Sequence, residues 1–287
     1  MNAQAQHTLH LVQLFQSVGV AKRPRKKIPR QAYPKPIQRD YAQSILGIVK
    51  LTREAMTPFF SELPRLLESA NQEFRQDAGE STRLRQLIEQ ARARLVTAIP
   101  TSEIENVATK FAVQTQTFQR IQLQKQVRSA FGVDVLGQDP RLASIMERFI
   151  QNNVTLIKDV PNKILSDVEK SVMQGVSSGK LPRDIAAELT DKFGFAEKRA
   201  KLIARDQVGK FYGQLNSSRQ RSMGLTRFIW RTVGDDRVRE EHAEREGEVY
   251  SYDDPPDGEL PGEPINCRCY PEPYFEDLFG GEEAEAA

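Results

Sequence analysis

Between Tyr41 and about Gly224, apolar residues recur at spacings of three, four and seven, the period of a single helix face. In "SEIENVATKFAVQTQTFQRIQLQKQVRSAFG" the stripe runs through Ile104, Val107, Ala108, Phe111, Phe118, Ile121 and Val127. Ser102 and Glu105 have the spacing of a capping box, and Gly132 stands where a helix would stop. The same pattern covers "YAQSILGIVKLTREAM", "STRLRQLIEQARARLVTAI", "DPRLASIMERFIQNNVTLI" and "PNKILSDVEKSVMQGV". Prolines 58, 64, 100, 140, 161 and 182 are expected at helix edges or between helices. "PRDIAAELTDKFGFAEKRAKLIARDQVGKFYGQLNSSRQRSMG" reads as a short helix, a turn at Phe193 to Phe195, and a long helix. The apolar stripes are narrow and the polar faces wide. The first two-thirds is therefore expected to be an elongated helical array that packs one face of each helix and offers its remaining apolar edge to a partner.

After Gly224 the pattern changes. "TRFIWRTV" reads as a strand, "DDRVREEHAEREG" as a turn and a short helix over about 237–246 ending at Gly247, and "EVYSYDDPPDGELPGEPINCRCYPEPY" as a strand followed by Pro/Gly loops. The expected fold is a mainly α N-terminal two-thirds followed by a small α+β C-terminal unit. Four segments result: 1–40, mobile and bearing a basic arm; 41–165, helical; 166–273, helices and then the α+β unit; and 274–287, an acidic tail.

Charge refines this picture at the two ends only. Lys and Arg number 41 against 39 Asp and Glu, so the total points to no polyanionic partner. "AKRPRKKIPR" nevertheless concentrates Lys22, Arg23, Arg25, Lys26, Lys27 and Arg30 without an acid. Such a run is either a solvated terminus or an arm that contacts DNA phosphates. No stretch approaches the roughly 18 apolar residues of a membrane span, and the N-terminus lacks a basic region before its apolar stretch, so a soluble intracellular protein is expected.

The two cysteines, Cys267 and Cys269, sit in "PGEPINCRCY" with one arginine between them. A bond between them would close a strained ring, which leaves free thiols or metal ligands. Three histidines exist, at 7, 10 and 242, and only His242 is near the cysteines in sequence. Cys267, Cys269, His242 and a carboxylate such as Asp235 would make a tetrahedral zinc site that ties the short helix to the terminal loop. The competing reading has the cysteines as small packed residues and His242 bonded to a backbone carbonyl. Arg239 and Arg268 are expected to form internal bidentate pairs with Asp235 or Asp236 rather than to contact phosphate.

The polar residues of this region form an ordered set: Trp230, Thr232, Asp235, Arg239, His242, Gly247, Pro261, Gly262, Asn266, Cys267, Arg268 and Cys269, preceded by "KLIARDQ" on a helix. Over roughly residues 170–273 this set resembles the phage head morphogenesis family typified by the Mu F protein. The helical first half resembles that family in character only. The resemblance implies a minor head protein of a tailed phage, located in the virion head and, during assembly, in the bacterial cytoplasm. It implies portal and major capsid or scaffold proteins as partners and a role in head morphogenesis, with a further part in DNA packaging or ejection. It implies no enzymatic activity, no membrane and no small-molecule substrate; one structural zinc is the sole cofactor in question. Some members of the family carry an extra domain after the cysteine pair, and the 18 residues after Cys269 are too few for one.

The rival is a metal-dependent nucleic-acid enzyme centred on His242, Glu244, Cys267 and Cys269. "HAE" and the cysteine pair echo the H-x-E and P-C-x-x-C of zinc nucleobase deaminases. The cysteine spacing is one residue short, however, and "YPEP" forbids the helix on which deaminase cysteines sit. Neither a phosphate-binding G-x-x-x-x-G-K-[ST] nor a G-x-S-x-G is present, which removes a packaging motor and a serine hydrolase of that type.

Overall fold

The computed structural model describes residues 28–73, 79–132, 139, 141–178 and 180–278. Five long helices come first: α1 (Lys35–Glu73), α2 (Gly79–Ala98), α3 (Thr101–Phe131), α4 (Leu142–Ser177) and α5 (Pro182–Ser222). A short C-terminal set follows: β1 (Arg227–Arg231), α6 (Glu240–Glu244), β2 (Val249–Ser251) and β3 (Tyr270–Pro273), with 3₁₀ turns at Pro256–Gly258 and Phe275–Leu278. The expected order of helices and then a small α+β unit is the observed one. Among the described residues no helix is long and apolar enough to cross a membrane.

Several expected breaks are absent. Pro58 and Pro64 lie inside α1, and Pro161 lies inside α4, which joins two segments read as separate. The expected turn at Phe193 to Phe195 is continuous helix within α5. A proline in a helix interior costs roughly 3 kcal/mol. Phe59, Leu63 and Leu67 beyond Pro58, and Ile164, Leu165 and Val168 beyond Pro161, are all buried. Each such side chain contributes about 1.5–3 kcal/mol, so continued burial outweighs the lost hydrogen bond. Helix α3 begins at Thr101, which puts Ser102 inside its first turn rather than at the cap, and it ends before Gly132, whose φ of 76° suits a residue without Cβ.

The described chain divides into two compact units. One takes in Arg39–Thr109 and Ile150–Ala204; the other takes in the described residues as far as Gln38, Lys110–Phe149, and those from Arg205 onward. In the first, Tyr41, Ile45, Val49, Met56, Phe59 and Leu63 form the buried stripe of α1, and the Tyr41 hydroxyl donates to Asn153 Oδ1 at 2.6 Å.

In the second unit the buried face of α3 is not the apolar stripe read from the sequence. Phe111 and Val127 are buried, Phe118 is half-buried, and Ile121 is 42% exposed. The buried positions between them are Thr115, Gln119, Leu123 and Gln126. Gln119 donates to Asn216 Oδ1 at 2.9 Å, and Gln126 donates to Glu272 Oε1 at 2.9 Å. Gln119 and Gln126 occupy this face because α5 and β3 supply partners for them, while the Thr115 hydroxyl is buried without a hydrogen-bond partner. Leu123, Val127, Ala130 and Phe131 pack with Met223, Leu225 and Phe275 into an apolar cluster.

The sheet has the order β2-β1-β3, antiparallel throughout. Strand β3 is the "YPEP" segment, read from sequence as loop. Its residues Tyr270 to Pro273 are all buried and pair with Arg231 to Phe228. The described end of the N-terminal segment belongs to this unit, contrary to its assignment as mobile up to residue 40. Gln31 and Tyr33 are buried, Gln31 N–H donates to Glu272 Oε1 at 3.0 Å, and α1 starts at Lys35.

Candidate metal centre

Strand β1 places Trp230 at full burial beside Phe228, Tyr252, Cys267 and Cys269 in a small core. The chain then leaves the sheet through Gly234 (φ 68°) and enters α6, which carries His242. His242 is buried, its ring edge-on to Trp230 at 5.3 Å between centroids. The two cysteines come from the loop ahead of β3. Each Sγ lies 3.5 Å from His242 Nδ1, and all three ligand atoms fall within 4.8 Å of one another. The sequence-predicted trio is therefore brought together, with both cysteines free and buried.

The predicted fourth ligand is not. Both oxygens of Asp235 accept from Arg268, at 2.7 Å from Nη1 and 2.6 Å from Nη2. This bidentate hydrogen bonding, led by Arg268, holds the Asp235 carboxyl below its usual range. Arg239 donates to the carbonyl of Ile265 at 2.9 Å. Both arginines thus brace the cysteine loop internally. Glu244, the proton shuttle that a deaminase would need, is exposed on α6.

The loop owes its path to close backbone approaches. Asn266 adopts φ 60°, and its N–H donates to Asp206 Oδ1 on α5 at 2.7 Å. Gly262 (φ 97°) runs against α5 at Gly209 and Gly213, where there is no room for a Cβ. The Cys269 N–H points back to Cys267 Sγ at 3.4 Å. The Cys269 thiol, then the N–H groups of Cys269 and Gly262 and the nearby His242, hold the Cys267 thiol down to about 6 against the upward pull of burial. Cys269 is pushed up, because the shared proton stays on its sulfur.

The remaining motif residues frame this centre. Thr232 donates its N–H (2.6 Å) and hydroxyl (2.8 Å) to Glu246 Oε2. Burial would raise the Glu246 carboxyl, yet the two Thr232 bonds with Arg30 and Arg231 keep it low. Gly247 (φ 92°) returns the chain to the sheet, its N–H donating to Trp230 O at 2.9 Å. Arg30, read as part of a DNA-binding arm, donates to Glu246 Oε1 at 2.7 Å and to Thr232 O. Lys22, Arg23, Arg25, Lys26, Lys27, His7 and His10 lie outside the described residues.

Sequence reasoning missed Glu246, Glu272, Asp206 and the pair Gly209/Gly213. The glycines were visible as two small residues four apart on a predicted helix, a spacing that permits close backbone contact. The acids carried no signal, since their partners come from distant segments.

Residues 166–271 match the family described as Phage Mu protein F like protein. An uncharacterized protein of Haemophilus influenzae strain Rd is 33% identical over 181 residues, covering 62% of this chain and 40% of that protein. No solved structure matches the chain.

Proposed function

From the Mu F-like family match over residues 166–271 as premise, we propose that the chain is a phage head morphogenesis protein. In this reading it is a non-enzymatic minor component of the virion head, assembled with portal and capsid or scaffold proteins and acting in packaging or ejection of the genome. The family match carries the proposal.

Two structural observations support it. The polar motif residues are spent on one another: Asp235 on Arg268, Thr232 on Glu246, and Arg239 on a backbone carbonyl. Such a constellation holds loops, and Glu244, the proton shuttle of the deaminase reading, is exposed on α6. Second, Phe195 (65% exposed) and Leu202 (42% exposed) stand seven apart on α5. Assembly with another head protein would cover such a surface.

The test is incorporation. Chain expressed with the phage's portal, capsid and scaffold proteins should co-sediment with the assembled heads and be found in them by mass spectrometry. Chain that stays at the top of the gradient, with heads of normal yield and shape in its absence, would overturn the assignment.

A further inference from the structure

We propose that His242, Cys267 and Cys269 bind one zinc ion through Nδ1 and the two sulfurs, with its fourth position open to a small pocket beside Asn266.

The distances agree with the ion. Zinc takes sulfur at about 2.3 Å and imidazole nitrogen at about 2.0 Å, so a tetrahedral arrangement separates N from S by about 3.5 Å. Both observed separations are 3.5 Å. A metal-free packing arrangement has no such requirement. A cation uses both sulfurs and the nitrogen at once.

The surroundings are those of anionic sulfur. The Cys269 N–H faces Cys267 Sγ at 3.4 Å, and the buried indole N–H of Trp230, in the same small core as both cysteines, has no hydrogen-bond partner. Two thiolates and a neutral histidine balance the double charge of zinc.

The fourth position follows from what is spent and what is spare. Asp235, the sequence-predicted candidate, is committed to Arg268. A cavity of about 90 Å³ adjoins the three ligands and is lined also by Val238, Ile265 and Asn266. Asn266, one of its lining residues, has a buried Oδ1 without a hydrogen-bond partner. Water occupies about 30 Å³ of liquid, so the cavity admits one, and a zinc-bound water would donate to that oxygen. The ion would act as a staple. It joins α6 to the loop before β3, in a core whose five buried members include the two cysteines themselves.

The experiment uses the full chain. Elemental analysis after purification should give one zinc per chain, and exchange with Co²⁺ should produce thiolate-to-cobalt charge-transfer absorption and the intense visible bands of a tetrahedral site. Cys267→Ser and Cys269→Ser should each remove the charge-transfer pattern of the paired thiolates. A chelator should lower the melting temperature of the wild type and leave that of Cys267→Ser unchanged. If the variants fail to fold, the wild-type cobalt spectrum decides alone. A wild-type chain that melts cooperatively, contains no zinc and gives no cobalt band overturns the proposal, as does zinc retained in full by a folded Cys267→Ser/Cys269→Ser double variant.

Discussion

A methyl group on Gly209 would collide with the carbonyl oxygen of Cys267, so helix α5 and the cysteine loop touch through bare backbone. Gly209→Ala must push the loop away or bend the helix, at a cost of about 1–3 kcal/mol. Gly194, on the same helix, has open space around it, with nothing within 4 Å of the point where a Cβ would stand. Gly194→Ala should stabilise by roughly 0.5–1 kcal/mol through helix propensity. Chemical denaturation of the two variants checks both signs, and a Gly209→Ala chain as stable as wild type would refute the close approach.

Buried Glu272 accepts from the Gln31 N–H, Gln126 Nε2 and Arg231 Nε. Glu272→Ala leaves the buried Gln31 N–H without its acceptor and Arg231 with Glu246 as its remaining acidic partner. The expected destabilisation is about 1–3 kcal/mol, the cost of leaving a buried donor unsatisfied. Denaturant midpoints should fall accordingly, and more than for Asp277→Ala, whose Arg227 partner is half exposed.

Asp235 has a folded-state pKa below the ordinary carboxylate value because Arg268 grips its charged form. The stability it contributes is therefore present above the ordinary value near 4 and is lost as pH falls through the depressed one. Asp235→Asn should cost about 1 kcal/mol at neutral pH, given the partial exposure of the pair. The gap between variant and wild type should close as the pH drops below about 4. A gap independent of pH would show that shape rather than charge matters here.

Phe195 and Leu202 supply the assembly test that the buried Phe111 does not. Phe195→Glu should leave the melting temperature within about a degree of wild type, as expected for a surface change within ±0.5 kcal/mol. It should also reduce incorporation into heads. Normal incorporation with unchanged melting would remove this surface from the interface.

The basic run offers a separate measurement. Replacing Lys22, Arg23, Arg25, Lys26 and Lys27 by Gln should weaken DNA binding and lower the slope of log affinity against log salt by roughly 0.9 per lost phosphate contact. Arg30 should be left in place, since it anchors Glu246. Unchanged affinity and slope would show that the run does not touch DNA.

Periodicity alone determined that the first two-thirds is helical, because apolar spacing reports which face a helix buries, and the order of motif residues showed the resemblance to the Mu F family that the match over residues 166–271 also gives. His242, Cys267 and Cys269 were legible as a trio because the chain has only two cysteines and three histidines, and only His242 lies near the cysteines in sequence. Tertiary structure decided the rest. Prolines 58, 64 and 161 lie within helices because flanking side chains remain buried, which no local rule registers. The buried face of α3 passes through Thr115, Gln119 and Gln126 because Asn216, Gln31 and Glu272 come from distant segments to meet two of them. Asp235, expected from the sequence as a fourth ligand, pairs with Arg268 instead for the same reason. A polar side chain's partner depends on where the chain brings other polar groups, and only the folded arrangement specifies that.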